Sequence, residues 1–177
     1  MKRFFYPMIA AVILLTSFTL SVSAPEYKVA DGHLIQFESK DPSGVFKEMK
    51  GTVKFDENDL EGSSFNLSVD VASISTGNGM KNKKAMTAEW FDVANHPKIN
   101  FKSSKVVKTE KGYQVHGQME VKGVKRFRKI PLNVDRSKGK LTFTGTFWVD
   151  RSFYKVGKPS QATPNKLKIT YKIPVTK

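Results

Sequence analysis

Along much of the chain, apolar and polar side chains trade places at every second residue. Phe65, Leu67, Val69 and Val71 share one parity, with Asn66, Ser68 and Asp70 on the other. Tyr113, Val115, Met119 and Val121 alternate with Gln114, His116, Gln118 and Glu120. Leu141, Phe143, Phe147 and Val149 alternate with threonines, and Leu167, Ile169, Tyr171, Ile173 and Val175 with lysines and Thr170. Ile35/Phe37, Val53/Phe55, Ile99/Phe101 and Ile130/Leu132/Val134 are shorter runs of the same kind. A period of two sends successive side chains to opposite faces, so each run predicts a strand with one covered and one wet face. Turn-forming clusters separate the runs at 41–44, 57–59, 61–62, 110–112 and 136–139. About eight strands joined by short turns predict an antiparallel meander. Closing it removes exposed edges, so the expected fold is all-β, an eight-stranded antiparallel barrel.

One segment breaks the period. Asn78 to Phe91 sets Met80, Met86, Trp90 and Phe91 among helix-tolerant residues, and predicts one or two short helices packed near the barrel mouth. Thr87 is placed to cap the second of them.

Composition narrows the chemistry. The chain has 177 residues, enough for one domain, and no cysteine, which removes disulfides, thiolate metal sites and thiol catalysis. At its start, Lys2 and Arg3 precede the apolar run Met8–Leu15 and the small-residue exit Ser21–Ala24. That order reads as a secretory signal peptide over residues 1–23, leaving 24–177 as the barrel domain. The apolar run falls short of the roughly 20 residues a membrane span needs. The expected location is therefore periplasmic or extracellular. Lys2 and Arg3 would leave with the signal, so the excess of positive charge falls by two, from +14 to +12. An exported protein has no everyday nucleic-acid partner.

Nothing in the pattern predicts an enzyme. There is no nucleophile elbow, phosphate-cradling loop or paired-histidine motif. His33, His96 and His116 fall on separate segments, so neither a metal nor a cofactor is expected. Asp70 and Asp92 read as capping carboxylates, and Asp150-Arg151 as a turn anchor. The cationic run Lys122–Lys129 packs five positive side chains around Phe127, and Lys81, Lys83 and Lys84 form a second cluster. Lys125, Arg126, Phe127, Arg128 and Lys129 are candidates for docking on an anionic membrane. A solvated turn whose lysines discourage edge pairing accounts for the same run.

The interior is where periodicity leaves two outcomes open. An eight-stranded barrel is just wide enough to fill with its own side chains or to hold one small ligand. Phe37, Phe55, Phe65, Phe101, Phe143 and Phe147 all take the inward parity. Their rings can line a slot or close it.

Several segments together resemble the YceI family of secreted, lipocalin-like barrels. The most specific are Asp70-Val-Ala-Ser-Ile-Ser-Thr-Gly77 and Glu89-Trp-Phe-Asp-Val-Ala-Asn-His-Pro-Lys-Ile-Asn-Phe-Lys-Ser103. Others are His33 with Ile35-Gln-Phe37, Gly44-Val-Phe46, Gly51–Asp56, Gly117–Val124, and Arg151-Ser-Phe153 with Val156-Gly157. The chain departs from the family pattern at Ser39-Lys40, at Lys122–Phe127, at Trp90 and at Tyr154. The resemblance implies an apolar tunnel that binds a polyisoprenoid, an isoprenoid quinone type or another long-chain amphiphile, without catalysis. It favours the hollow interior, and with the inward parity it nominates Ile35, Phe37, Phe55, Phe65, Leu67, Val69, Phe91, Ile99, Phe101, Met119, Leu132, Phe143 and Phe147 as ligand contacts. His33, Ser39 and Arg151 are candidates for the head group, and the protein is expected as a monomer or homodimer. The rival expectation is an exported protein that adheres to anionic membrane or polymer through its cationic side, around a solid core.

Overall fold

The alternating runs pair edge to edge, each mostly with its neighbour in sequence. The computed structural model describes residues 24–158 and 163–177; the expected signal peptide, residues 1–23, lies outside them. The strands are β1 (Glu26–Val29), β2 (Leu34–Glu38), β3 (Gly44–Phe46), β4 (Met49–Asp56), β5 (Asp59–Asp70), β6 (Ile74–Ser75), β7 (Lys98–Thr109), β8 (Gly112–Val121), β9 (Val124–Asp135), β10 (Leu141–Asp150) and β11 (Lys166–Thr176), with one helix, α1 (Gly79–Met86), among the described residues. Every pairing is antiparallel. The circuit β1-β4-β5-β7-β8-β9-β10-β11 closes on itself where Lys28 and Val29 meet Thr176 and Val175. The result is the expected eight-stranded closed antiparallel barrel.

Three of its staves are interrupted, which the alternation does not foretell. β2 takes over from β1 along the edge of β11, β3 precedes β4 across Lys47-Glu48, and β6 follows β5 after a 3-10 turn at Val71–Ser73. Side chains satisfy the backbone at these breaks. Ser73 Oγ accepts from Lys47 N and Glu48 N, at 3.1 and 3.0 Å, and donates to Asp70 O. Asp70 caps the 3-10 turn by accepting from Ala72 N, the role expected of it. The His33 ring sits between Ala30 O and Lys47 O, at 3.2 and 3.1 Å.

Other departures have local causes. Glu61-Gly62 does not end a strand; Gly62 N–H donates to Asp59 Oδ1 while β5 runs straight through. α1 is a single helix capped by Asn78, whose side chain accepts from Met80 N and Lys81 N. Thr87 is the C-cap of that helix and starts no second one. β7 carries a bulge between Ser103 and Lys105, and the inward parity shifts from Phe101 to Val106 there. Ser103 Oγ accepts the N–H of Phe65 at 2.8 Å.

One junction is only half laced. β9 and β10 pair over Asn133–Asp135 alone, although both run on toward the mouth. Pro131 has no N–H to offer, and its carbonyl approaches so closely that a Cβ on Gly145 would lie 2.4 Å from it. That carbonyl accepts instead from the Tyr171 hydroxyl, reaching over from β11. Beyond this point arginines span the gap: Arg128 donates to Trp148 O and Arg126 Nε to Phe153 O.

Candidate ligand-binding site

Two halves of the interior differ in how they are filled. At the end formed by β4, β5, β8 and β10, the Phe55 ring meets Phe65, Tyr113 and Phe143 with centroids 6.5, 5.5 and 5.2 Å apart. Phe65 meets Phe143 at 5.2 Å, edge to face. Phe55 and Phe143 are 1% and 0% exposed. These rings form a packed floor with favourable quadrupole geometry. Phe55 and Phe143, expected among the ligand contacts, are therefore floor residues and not part of the cavity wall.

Above the floor lies a cavity of about 400 Å³, within the usual range for small-ligand sites. Its wall includes Ile35 and Phe37 from β2, Phe65, Leu67 and Val69 from β5, Ile99 and Phe101 from β7, Met119 from β8, Leu132 from β9 and Phe147 from β10, with Phe91 from above. The structure thus brings eleven of the thirteen nominated side chains to one space. Ile35, Ile99, Phe147, Val149, Leu167 and Ile169 are of inward parity yet only half-buried. An inward side chain that keeps accessible surface is facing a void.

The mouth is covered from two sides. α1 and the turn Trp90–Val93 form one cover, and the 3-10 turn Arg151–Tyr154 with Val156 and Thr163 forms the other. Arg151 holds the second cover in shape. Its guanidinium donates to Pro164 O, Val156 O, Lys158 O and Thr163 O at 3.1, 2.6, 3.1 and 2.9 Å, and lies 5.2 Å from the Trp90 ring centroid. Burial lowers its pKa from the ordinary value and Asp150 pulls it back; a guanidinium stays charged throughout. Arg151 is a structural staple on the cavity wall. Of the other head-group candidates, His33 is held at the β1–β2 break and Ser39 Oγ donates to Pro42 O; neither lines the cavity.

Besides Arg151, the wall offers polar groups outside the expected set of ligand contacts. Trp90 Nε1 and Tyr154 OH are buried without a hydrogen-bond partner, and both residues line the cavity. Tyr154 is 1% exposed; burial raises its pKa, opposed by the nearby Arg128 and Arg126. Unpaired buried polar atoms are scarce in folded proteins, and here two fall on one wall. The only trace in the sequence is that both positions depart from the family pattern. Lys81, ion-paired to Asp41 at 2.6 Å across the mouth, and Lys84, 5.6 Å from the Trp90 ring centroid, also reach the cavity.

The basic segment divides by parity. Lys125, Phe127 and Lys129 point outward and are exposed, whereas Arg126 and Arg128 take the inward parity and bridge the half-laced junction. Among the described residues no three carboxylates and histidines gather as metal ligands would. His96 packs over Gly123, and His116 contacts Gln114 at 2.7 Å and the edge of Phe127 at 6.0 Å.

Solved structures share this architecture. BcnA of Burkholderia cenocepacia superposes with a TM-score of 0.75 at 27% identity, covering 81% of this chain and 96% of that one. A Campylobacter jejuni YCEI protein gives 0.68 at 18%, over 79% and 88%. A Saccharophagus degradans domain gives 0.66 at 12%, over 85% and 97%. Among curated relatives, a UPF0312 protein of Serratia proteamaculans is 31% identical over 92 residues, 52% of this chain and 46% of its own. A protein YceI of Salmonella arizonae is 30% identical over 81 residues, 46% of this chain and 42% of its own. The chain spans about half the length of the curated relatives it matches. The family model for the YceI-like domain matches residues 20–175, from ahead of β1 into β11, and the chain belongs to that family.

Proposed function

We propose that the barrel binds one long-chain apolar lipid, of the polyisoprenoid or isoprenoid-quinone type, and holds or carries it without chemical change. The observation that carries this reading is the apolar cavity whose inward side chains remain half-accessible above a floor of packed rings. Burying ten methylene groups is worth about 8 kcal/mol gross. Ordering the chain and losing translational freedom takes back several kcal/mol. Micromolar retention needs no polar contact at all. The polar end of the lipid belongs beside Trp90 and Tyr154, where unpaired groups await an acceptor. The Saccharophagus degradans neighbour is titled a polyisoprenoid binding domain, which fits this ligand class. The rival reading required a solid core, and the cavity speaks against it. The charge, apolar run and small-residue exit in residues 1–23 support export as the setting.

The test is native mass spectrometry of the purified protein, followed by delipidation and titration with a fluorescent polyprenyl probe. A co-purifying lipid and saturable uptake are expected. Ile169→Trp, which pushes an indole into the void, should abolish uptake while changing stability by less than about 1.5 kcal/mol. Consistently empty protein that ignores the probe would overturn the reading.

A further inference from the structure

Four large apolar side chains are more than half exposed among the described residues, and three of them border the β9–β10 junction. Phe127 on β9 is 58% exposed, Trp148 on β10 60%, and Phe153 in the following 3-10 turn 56%. Two arginines on either side of Phe127 reach the other two residues. Arg126 donates to Phe153 O at 3.3 Å and lies over that ring at 6.0 Å from its centroid, while Arg128 donates to Trp148 O. The rings therefore surround the stretch where β9 and β10 are unlaced. Single exposed apolar residues need no explanation, but a cluster beside unpaired strand edges is a liability unless something covers it.

The charges around the cluster indicate what covers it. Lys125 and Lys129 flank Phe127 on the outer face, and Lys168 stands opposite Trp148 in the ladder. The acids nearby are committed: Glu38 lies 3.6 Å from Lys168, Asp150 accepts from Ser152, and Glu120 sits opposite Lys125. Positive charge prevails locally, as it does for the whole chain at +14. Tryptophan and phenylalanine projecting among lysines and arginines match the boundary of an anionic bilayer, where rings settle at head-group depth and cations meet lipid phosphates. A soluble polyanion would use the cations and leave three apolar rings in water.

We propose that this face docks the barrel on an anionic membrane surface, with Phe127, Trp148 and Phe153 in the head-group layer and the unlaced β9–β10 junction against the bilayer. Tyr154, on the cavity wall, lies electrostatically close to the two arginines of that junction. The docked orientation sets the thinnest-bonded part of the wall beside the lipid. The proposal stands on outer-surface residues and holds whether or not the cavity is loaded.

Vesicles containing phosphatidylglycerol, compared with phosphatidylcholine alone and with heparin as a soluble polyanion, provide the test on the full purified protein. Co-sedimentation with the anionic vesicles is expected, weakening as salt is raised. Trp148 emission should shift to the blue and be quenched by lipids brominated on their acyl chains, a signal that Trp148→Phe removes. Joint replacement of Phe127, Trp148 and Phe153 by serine should cost at least about tenfold in vesicle affinity. Lys125→Gln and Lys129→Gln should each cost up to about fivefold. Absence of vesicle binding, binding to heparin as tight as to vesicles and indifferent to the aromatic replacements, or a dimer that buries Trp148 would each overturn it. Lipid extraction and probe uptake read the cavity separately, so failure of one proposal leaves the other standing.

Discussion

The two ends of the barrel use the same kind of residue to opposite effect. At the floor, Phe55, Phe65, Phe143 and Tyr113 converge from four strands and pack edge to face. Toward the mouth, Phe37 meets Phe46 at 5.6 Å and Phe46 meets Phe91 at 6.0 Å, yet the rings line one side of a cavity. The difference lies in what stands beside each ring. Floor rings meet other rings edge to face, Phe55 touching three of them. In the mouth half Phe37 and Phe147 stand beside Ile169 in the ladders and Val149 stands beside Leu167, and these aliphatic side chains are smaller and half-buried. Hydrophobicity alone does not decide between a solid and a hollow interior; how closely large side chains meet one another does.

The most forceful way to break this contrast is to hollow the floor. Phe143→Ala should cost about 3–5 kcal/mol in chemical denaturation, as expected for a large ring deleted from a fully packed site. Probe affinity should change far less, because that ring is not on the cavity wall. A fall in affinity matching the fall in stability would mean that floor and cavity are one region.

Loosening the mouth comes second. Arg151→Met keeps the stem but abandons four carbonyl oxygens, and a stability loss of about 2–3 kcal/mol is expected. Because those carbonyls shape one mouth cover, stopped-flow measurements should show faster probe release.

Tyr154→Phe sharpens the comparison by touching function without the scaffold. Its hydroxyl has no protein partner, so stability should hold or rise slightly. Binding of a probe with an oxygen-bearing head should weaken about tenfold, while a pure hydrocarbon of equal length should bind as before.

How far these contrasts were legible beforehand follows from where the information resides. Alternation is written residue by residue, so Leu67, Val69 and Met119 could be assigned inward from the chain alone. Phe55 and Phe143 obey the same parity as Phe37 and Phe147, and parity carries no record of height along the axis. Register does, and register is set between strands far apart in sequence. Ser73 could not be recognised as the group that satisfies the β3–β4 break, since its partners Lys47 and Glu48 lie 26 and 25 residues away. The half-laced junction was nearest to legible: Pro131 interrupts an otherwise regular run, and a proline inside a strand points to an edge or an opening.

The smallest expected effect concerns the outer wall. Burial, then Lys129 and Lys105, lower the His116 pKa, so the folded chain favours the neutral ring. The unfolded chain takes up the proton first, and stability should decline as pH falls through and below the ordinary histidine value of about 6.5. His116→Gln should flatten that part of a thermal-melt pH profile. An unchanged slope would assign the acid sensitivity to other groups.

The turn between β8 and β9 ties the two mouth covers together. Lys122 Nζ donates to Glu89 O at 3.1 Å and Lys155 O at 3.0 Å, one carbonyl from each mouth cover. Gly157 N–H adds a second tie to Glu89 O at 3.0 Å. Two flaps that are remote in sequence thus share one hitching post. Opening either cover breaks these bonds, so loss of the Lys122 ammonium should loosen both covers at once.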